Sequence, residues 1–438
     1  MTFGSAQAYL LGTINETVSR RIPSRLDRMR AFLSALGNPQ DRYPTVHVGG
    51  TSGKGSTATM IGAILSASGK RVGLHTKPHL SSVTERARID GVPVSEDRFG
   101  ELLGDMMPAI ERVAQDHGRP SYYETLLAIA FTYFAEEQVD AGVIEVGVGG
   151  LLDGTNVLVP QVSIITNIAL DHTDVLGDTL ALIAADKVGI AKPGVPLVSD
   201  VTDPEARAVI EAGTAKAGAP FVSVRDEVTV VPRAGERYGQ SFTVTTPVDH
   251  YEISLPVLGA FQRRNAATAI RALEFLPPAL RPGRAAVEDG LARLVVPGRM
   301  EFHPAHPSVV FDIAHNPDKA RNLCEALRET FPGRRFAFVI AITETKDAAQ
   351  ILAPFAELPG TFTFTSFETA GRSATRPQRL ASLAGELGIW GRAIADPVDA
   401  FAVARRSADA SDIVVVTGST FVVATLRDWW FANVASNV

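Results

Sequence analysis

The sequence predicts an α/β protein of two units. Three observations carry that reading. Short apolar runs bounded by glycine or proline recur along the chain. Helix-length segments with apolar residues at three- and four-residue spacing lie between them. The alternation then starts again after a Pro-Gly break at "VVPGRMEF". Strands alternating with helices of this length imply a mostly parallel sheet with helices on both faces. The 438 residues allow two or three domains, and 45% hydrophobic with 21% charged residues can fill their cores.

Taken in order, the chain up to about Asn38 is predicted helical. In "SRLDRMRAFLSALG" the apolar residues Leu26, Met29, Phe32, Leu33 and Leu36 share one helical face, and Gly37 suits a C-cap. "PTVHVGG" reads as a short buried strand, "STATMIGAILSASG" as a helix ended by Gly69, and "RVGLHT" as a second strand. "YYETLLAIAFTYFAEEQ" is a strongly apolar helix, and "DAGVIEVGVGG", "QVSIITNI" and "PGVPLVSD" follow as strands three to five. From about residue 225 to 256 the pattern changes to short strands with turns, a small antiparallel section. "FQRRNAATAIRALEFL" returns to helix. The second α/β alternation has strands at "SVVFDIA", "RFAFVIAIT", "TFTFTSF" and "DIVVVTGS". The expected boundary is near Pro297, giving domains 1–296 and 297–438.

Composition narrows the partners. The net charge is −6 and no dense Lys/Arg run occurs, which argues against nucleic acid or an anionic membrane as partner. The single cysteine, Cys324, has no internal disulfide partner, so a reducing cytoplasm is expected. The start, "MTFGSAQAYLLGTINETVSR", lacks a basic segment followed by a long apolar core, so no signal peptide is expected. No apolar run reaches the ~20 residues of a membrane helix.

"VHVGGTSGKGST" carries the first chemistry. A strand, a glycine-rich turn and a helix point backbone N–H groups at an anion. Lys54 adds a positive charge for phosphates, and Ser56 or Thr57 can ligate Mg²⁺. The spacing departs from G-x-x-x-x-G-K-[ST]: Gly49 stands four residues before Gly53 where the motif requires five, and Gly55 separates Lys54 from Ser56. The bland alternative is a tight strand–helix turn with an incidental lysine. Glu145 ends the "VIEV" strand on the same sheet edge, where a carboxylate can hold Mg²⁺ or simply face solvent. His172, in "LDHTDVLGDTL", is an unusual Mg²⁺ ligand and, alone, a loop histidine. Lys187, alone, is an exposed helix lysine.

Read in series, "GGTSGKGST", "HTKPHL", "EVGVGGLLDGTNV", "NIALDHTDVLGDTLALIAADKVGIAKPG", "GAFQRRNAATAI", "VPGRME" and "FDIAHNPDKA" closely resemble the folylpolyglutamate synthase / dihydrofolate synthase family of Mur-type ligases. The resemblance runs from about residue 20 to "VVVTGSTFVV". It implies a P-loop-type N-terminal domain with a helical acceptor-binding start, and a Rossmann-like C-terminal glutamate-ligase domain. It also implies the reaction. ATP phosphorylates an acceptor carboxylate to an acyl phosphate, and the amine of L-glutamate displaces phosphate to form an amide. The implied acceptor is dihydropteroate or a folate, with one or two Mg²⁺ ions, and a monomer is expected.

The resemblance assigns roles by position. Thr51, Ser52, Gly53, Lys54, Gly55, Ser56 and Thr57 correspond to the phosphate loop. Ser56, Glu145 and His172 correspond to metal ligands, and Lys187 to a lysine that carries a CO₂ adduct. Asn265 in "RRNAATA" corresponds to an adenine contact. Arg299 in "PGRME" resembles an arginine brought to the phosphates, and Asp312 and His315 in "FDIAHNP" match nucleotide contacts. Lys54, His172, Lys187 and Arg299 are the expected catalytic residues. The acceptor positions fall at Ser121, Tyr122, Tyr123 and Glu124, at Leu152, Asp153 and Gly154, and at Lys77. For the two tyrosines, burial in a helix core is the competing expectation.

Several positions depart from the family. Lys77 stands where a metal-ligating serine is usual, and an ammonium cannot ligate a metal. It could serve as a fixed positive charge in place of one ion, swing away, or bind the acceptor carboxylate. Ser52 replaces an asparagine, Leu151 an arginine, and Phe261 a histidine. These changes leave open a ligase of the same fold acting on another carboxylate, or a nucleotide-binding homologue with altered catalysis. A P-loop kinase would explain the loop but not the second domain.

Overall fold

A computed structural model describes residues 1–14, 24–234, 239–369 and 372–434. Residues 17–23 of the expected acceptor-binding start therefore lie outside the described residues. The chain divides into two compact units, one built mainly from residues 1–255 with Arg263–Leu294, the other from Val295 onward. Pro256–Gln262 also group with the second unit, although the Pro-Gly break lies later in the chain.

The first unit is organised by eight strands: β1 (Thr45–Gly49), β2 (Val72–His75), β3 (Arg88–Ile89), β4 (Val92–Pro93), β5 (Ala141–Glu145), β6 (Val162–Ile165), β7 (Leu197–Ser199) and β8 (Phe221–Ser223). Their spatial order is β4-β3-β2-β5-β1-β6-β7-β8. Only the β2-β3-β4 edge is antiparallel. β1 sits in the middle, with His47 level with Ile144 of β5 and Ser163 of β6. Every residue of β1, β2 and β5 is buried, as expected for parallel strands covered on both faces. The order turns back at β1, and the chain ends of β1 and β5 bring the glycine-rich loop that follows β1 and Glu145 to one edge.

The helix Lys54–Ala67 packs across β1, β2 and β5. Its Met60, Ile61, Ile64 and Leu65 are fully buried. Burying side chains of this size contributes roughly 1.5–3 kcal/mol each. The helix Tyr122–Glu136 is started by a capping box, in which Ser121 and Glu124 cap one another's backbone N–H groups. It joins the helices Phe3–Gly12, Ser24–Ala35 and Glu96–His117 in a common apolar cluster around Phe32, Phe99 and Phe131. A second feature closes the Ser24–Ala35 helix: Gly37 has φ +78°, and Asn38 N–H donates to Leu33 O at 2.8 Å.

β9 (Thr229–Arg233), β10 (Gln240–Thr245) and β11 (His250–Leu255) form the small sheet expected there, ordered β11-β10-β9, with β9 and β10 antiparallel. The second unit has β12 (Glu301–His303), β13 (Ser308–Phe311), β14 (Phe336–Ile340), β15 (Gly360–Phe364), the β16–β17 pair (Glu368–Thr369, Arg372–Ser373), β18 (Gly391–Ala393) and β19 (Ile413–Thr417). Its six-stranded sheet runs β12-β13-β19-β14-β15-β18 and is parallel except at β12. Phe338 and Phe362 stack at 4.8 Å in its core.

Candidate active site

The loop after β1 is held by the chain that follows β6. Thr51 N–H donates to Asn167 O at 2.9 Å and Ser52 N–H to Asn167 Oδ1 at 2.7 Å. Thr166 Oγ1 donates to Ser52 O at 2.6 Å. Gly53 caps the following helix with φ +81°, a left-handed conformation that disfavours a side chain. A Cβ there would also lie 2.5 Å from Asn265 Oδ1, so the asparagine lies directly over the turn. The loop thus delivers the start of the Lys54–Ala67 helix as an anion site, where the first N–H groups lack intrahelical acceptors.

Three lysines converge on this place. Lys54 Nζ donates to Gly50 O and Thr51 O, each at 3.0 Å. Lys187 is buried at the end of its helix, and its Nζ donates to the same Gly50 O at 2.9 Å. The exposed-lysine alternative is thereby excluded for Lys187. Burial, then the charges of Lys54 and Lys77, push its pKa down to about 7. Burial, then Lys54, lower Lys77 to about 8, while Glu145 and Asp153 oppose the shift. Ammonium groups that depress one another mark a site short of negative charge.

Glu145 is buried at the end of β5, and its Oε2 accepts from the Lys77 backbone N–H at 2.9 Å. The same oxygen lies 3.2 Å from where a Cβ of Gly55 would stand, beside the buried Ser56. Thr57 Oγ1, one residue on, is buried with no hydrogen-bond partner among the described residues. Leaving a hydroxyl so costs about 1–3 kcal/mol. The Glu145 carboxylate and the Ser56 hydroxyl are oxygen donors of the kind a hard cation such as Mg²⁺ takes, beside N–H groups suited to an anion. His172 is exposed at a left-handed turn (φ 53°) after β6. Among the described residues no three His, Cys, Asp or Glu side chains form a metal-binding group, so hydroxyl and phosphate oxygens would have to complete any ligand set around Glu145.

The acceptor candidates fall on the neighbouring side. Tyr122 and Tyr123 are half-buried and pack against the helical core. A Cβ on Gly147 would lie 2.6 Å from both Tyr123 Cζ and Asp153 Oδ2, so only a glycine leaves room for the ring and the carboxylate at this point. The Tyr123 and His75 rings are 6.1 Å apart. Glu124 and Ser121 have local work. Glu124 accepts from Ser121 N–H at 2.7 Å and pairs with Arg28 at 2.8 Å, so both fix the helix start. Leu152 and Gly154 flank Asp153, with Gly154 against Leu127.

The remaining expected residues lie in the second unit. Asp312 is buried, accepting from Met300 N–H at 2.8 Å and Ala314 N–H at 2.9 Å. Burial raises its pKa, while the Arg299 charge opposes the shift. His315 Nδ1 donates to Ile313 O at 2.8 Å, and Lys319 Nζ lies 3.3 Å from its Nε2. Reasoning from sequence missed His47 and Thr155, which touch Asp153's network, because neither carries a motif of its own.

A parallel sheet whose central strand runs into an anion-binding loop, with a carboxylate on the adjacent strand, defines a nucleotide-binding α/β protein. Residues 48–273 match the Mur ligase middle domain, and residues 298–420 the Mur ligase glutamate ligase domain. The chain is 33% identical to the dihydrofolate synthase/folylpolyglutamate synthase of Bacillus subtilis over 92% of its length and 94% of that protein. It is 33% identical to the folylpolyglutamate synthase of Lacticaseibacillus casei, covering 91% and 93%. The structure of Mycobacterium tuberculosis folylpolyglutamate synthase complexed with ADP superposes with a TM-score of 0.89 at 31% identity, over 98% of both chains. The chain belongs to the folylpolyglutamate synthase / dihydrofolate synthase family of Mur ligases.

Proposed function

We propose that this protein uses ATP to join L-glutamate to a pterin- or folate-type carboxylic acid through an acyl phosphate. The observation that carries the reading is the convergence of Lys54, Lys77 and Lys187 on a glycine-rich helix start beside Glu145. The reaction brings a carboxylate up to a γ-phosphate, and like charges must be offset before they meet. The ammonium groups of Lys54 and Lys77 and the helix N–H groups do that without reorganising, and hold the charge of the transferring phosphoryl group. Lys54 reaches the phosphates, Thr51, Ser52, Gly53 and Gly55 supply the cradle, and Asn265 contacts the base. Arg299, Asp312 and His315 are proposed as further nucleotide contacts.

Ser56 and Glu145 would hold Mg²⁺, with His172 as a further ligand. The ion would supply positive charge to the phosphate oxygens. Tyr122, Tyr123, Leu152, Asp153 and Gly154 take the acceptor ring, set by Ser121 and Glu124. Lys77 faces the acceptor carboxylate. A lysine with a pKa of about 7 holds enough neutral amine near neutrality to capture CO₂, which supports a CO₂ adduct on Lys187. The protein is proposed to act as a cytoplasmic monomer. The reading is tested by phosphate release from ATP that requires both L-glutamate and a pterin-type acid; release indifferent to glutamate would overturn it.

A further inference from the structure

We infer that His47 and Thr155 are positioning residues for the acceptor, acting through a hydrogen-bonded chain that aims the carboxylate of Asp153. The inference rests on the reading of Asp153 as an acceptor contact. His47 lies in the middle of β1, the central strand beneath the phosphate loop, and is fully buried. Its Nε2 is 2.8 Å from Thr155 Oγ1. Thr155, also fully buried, donates its hydroxyl to Asp153 Oδ1 at 2.6 Å and its backbone N–H to the same oxygen at 3.0 Å. Asp153 Oδ2 accepts from Val148 N–H at 2.9 Å.

The proton positions follow from the chain. The one hydroxyl proton of Thr155 goes to Asp153 Oδ1. Thr155 Oγ1 must then accept from His47, which fixes the histidine as the neutral form protonated on Nε2. Burial first, and Lys192 second, favour that neutral form by lowering the His47 pKa to about 3. His47 Nδ1 is left as a buried acceptor with no partner among the described residues.

That orphan is the telling feature. A buried acceptor left unpaired costs more than one neutral hydrogen bond returns, so an apolar side chain at His47 would stabilise the strand better. What the histidine supplies is direction. With Oδ1 holding two donors and Oδ2 one, the remaining capacity of Asp153 is confined to Oδ2, the oxygen that lies with the Tyr123 ring against Gly147. The chain therefore ties the strand under the nucleotide loop to the oxygen that meets the acceptor.

The test compares Thr155→Val, Thr155→Ser, His47→Phe and Asp153→Asn in steady-state kinetics with tetrahydrofolate, dihydropteroate, ATP and glutamate. Thr155→Val keeps the side-chain shape and removes only the hydroxyl. It is expected to raise the acceptor KM about tenfold, the effect of one misplaced charge-assisted hydrogen bond, with ATP KM and kcat within about twofold. Thr155→Ser is expected to restore the acceptor KM, and His47→Phe to reproduce the Thr155→Val effect. If Asp153→Asn raises the acceptor KM but Thr155→Val does not, the positioning chain is overturned. If Asp153→Asn leaves the acceptor KM unchanged, Asp153 is no acceptor contact and both readings fall. Equal loss of ATP and acceptor binding in Thr155→Val would mark a merely structural role and also overturn the inference.

Discussion

Adding a non-hydrolysable ATP analogue at pH 8 is expected to draw protons out of solution. In the free protein Lys187 has a pKa of about 7 and Lys77 about 8, each lowered first by burial and then by the Lys54 charge. At pH 8 Lys187 then carries about a tenth of a proton and Lys77 about half. A bound polyphosphate favours the ammonium forms, and restoring both to full charge takes up about 1.4 protons per protein molecule. At pH 6 both lysines are already charged, so uptake by them falls towards zero. The sign is fixed by the direction of the shifts. The same shifts make the free protein gain stability as pH rises from about 7 towards 10.5, where the unfolded chain holds more protons. Calorimetric titration in CO₂-depleted buffers of different ionisation enthalpy reads the number directly. Lys54→Met, at saturating analogue, should lower it, because the free-state values of the other two rise. Bicarbonate should lower it too if CO₂ occupies Lys187. No uptake at pH 8 in the unmodified protein would refute the three-lysine account.

Two further outcomes follow from the same geometry. Lys54→Ala should abolish turnover, by at least about a thousandfold in kcat, while leaving the fold intact by circular dichroism, since its bonds to Gly50 O and Thr51 O lie within its own loop; retained activity would remove the loop from the mechanism. Lys77→Ser exchanges an ammonium that interacts electrostatically with Glu145 for a hydroxyl donor, and should add a bound Mn²⁺ by electron paramagnetic resonance in the presence of the analogue. An unchanged ion count would mean that Lys77 does not stand in for a metal.

Much of the frame was legible in the sequence because buried parallel strands are continuous apolar runs. β1, β2, β5 and β6 all fall within the predicted segments. The short edges were not. β3, β4, β8 and β18 are two or three residues long, too short to show a period, and are specified by their neighbours in the sheet. The Glu96–His117 helix was also missed, although its apolar face is regular. At the site, the glycine-rich turn between β1 and the Lys54–Ala67 helix announced itself through glycines and a lysine. The burial of Lys187 did not, because it depends on the Gly50 carbonyl, 137 positions away in the chain. His47 looked like one more residue of an apolar strand. Its role appears only when Thr155, 108 residues later, is folded against it.

The central claim is that the site makes an amide between glutamate and a pterin-type acid at the expense of ATP. Its most direct measurement is phosphate release with dihydropteroate and with tetrahydrofolate, each with and without L-glutamate, with the products separated by chromatography. One phosphate released per glutamyl group added, and no addition without ATP, is the expected result. Tight nucleotide binding with no glutamate-dependent product from either acid would contradict it.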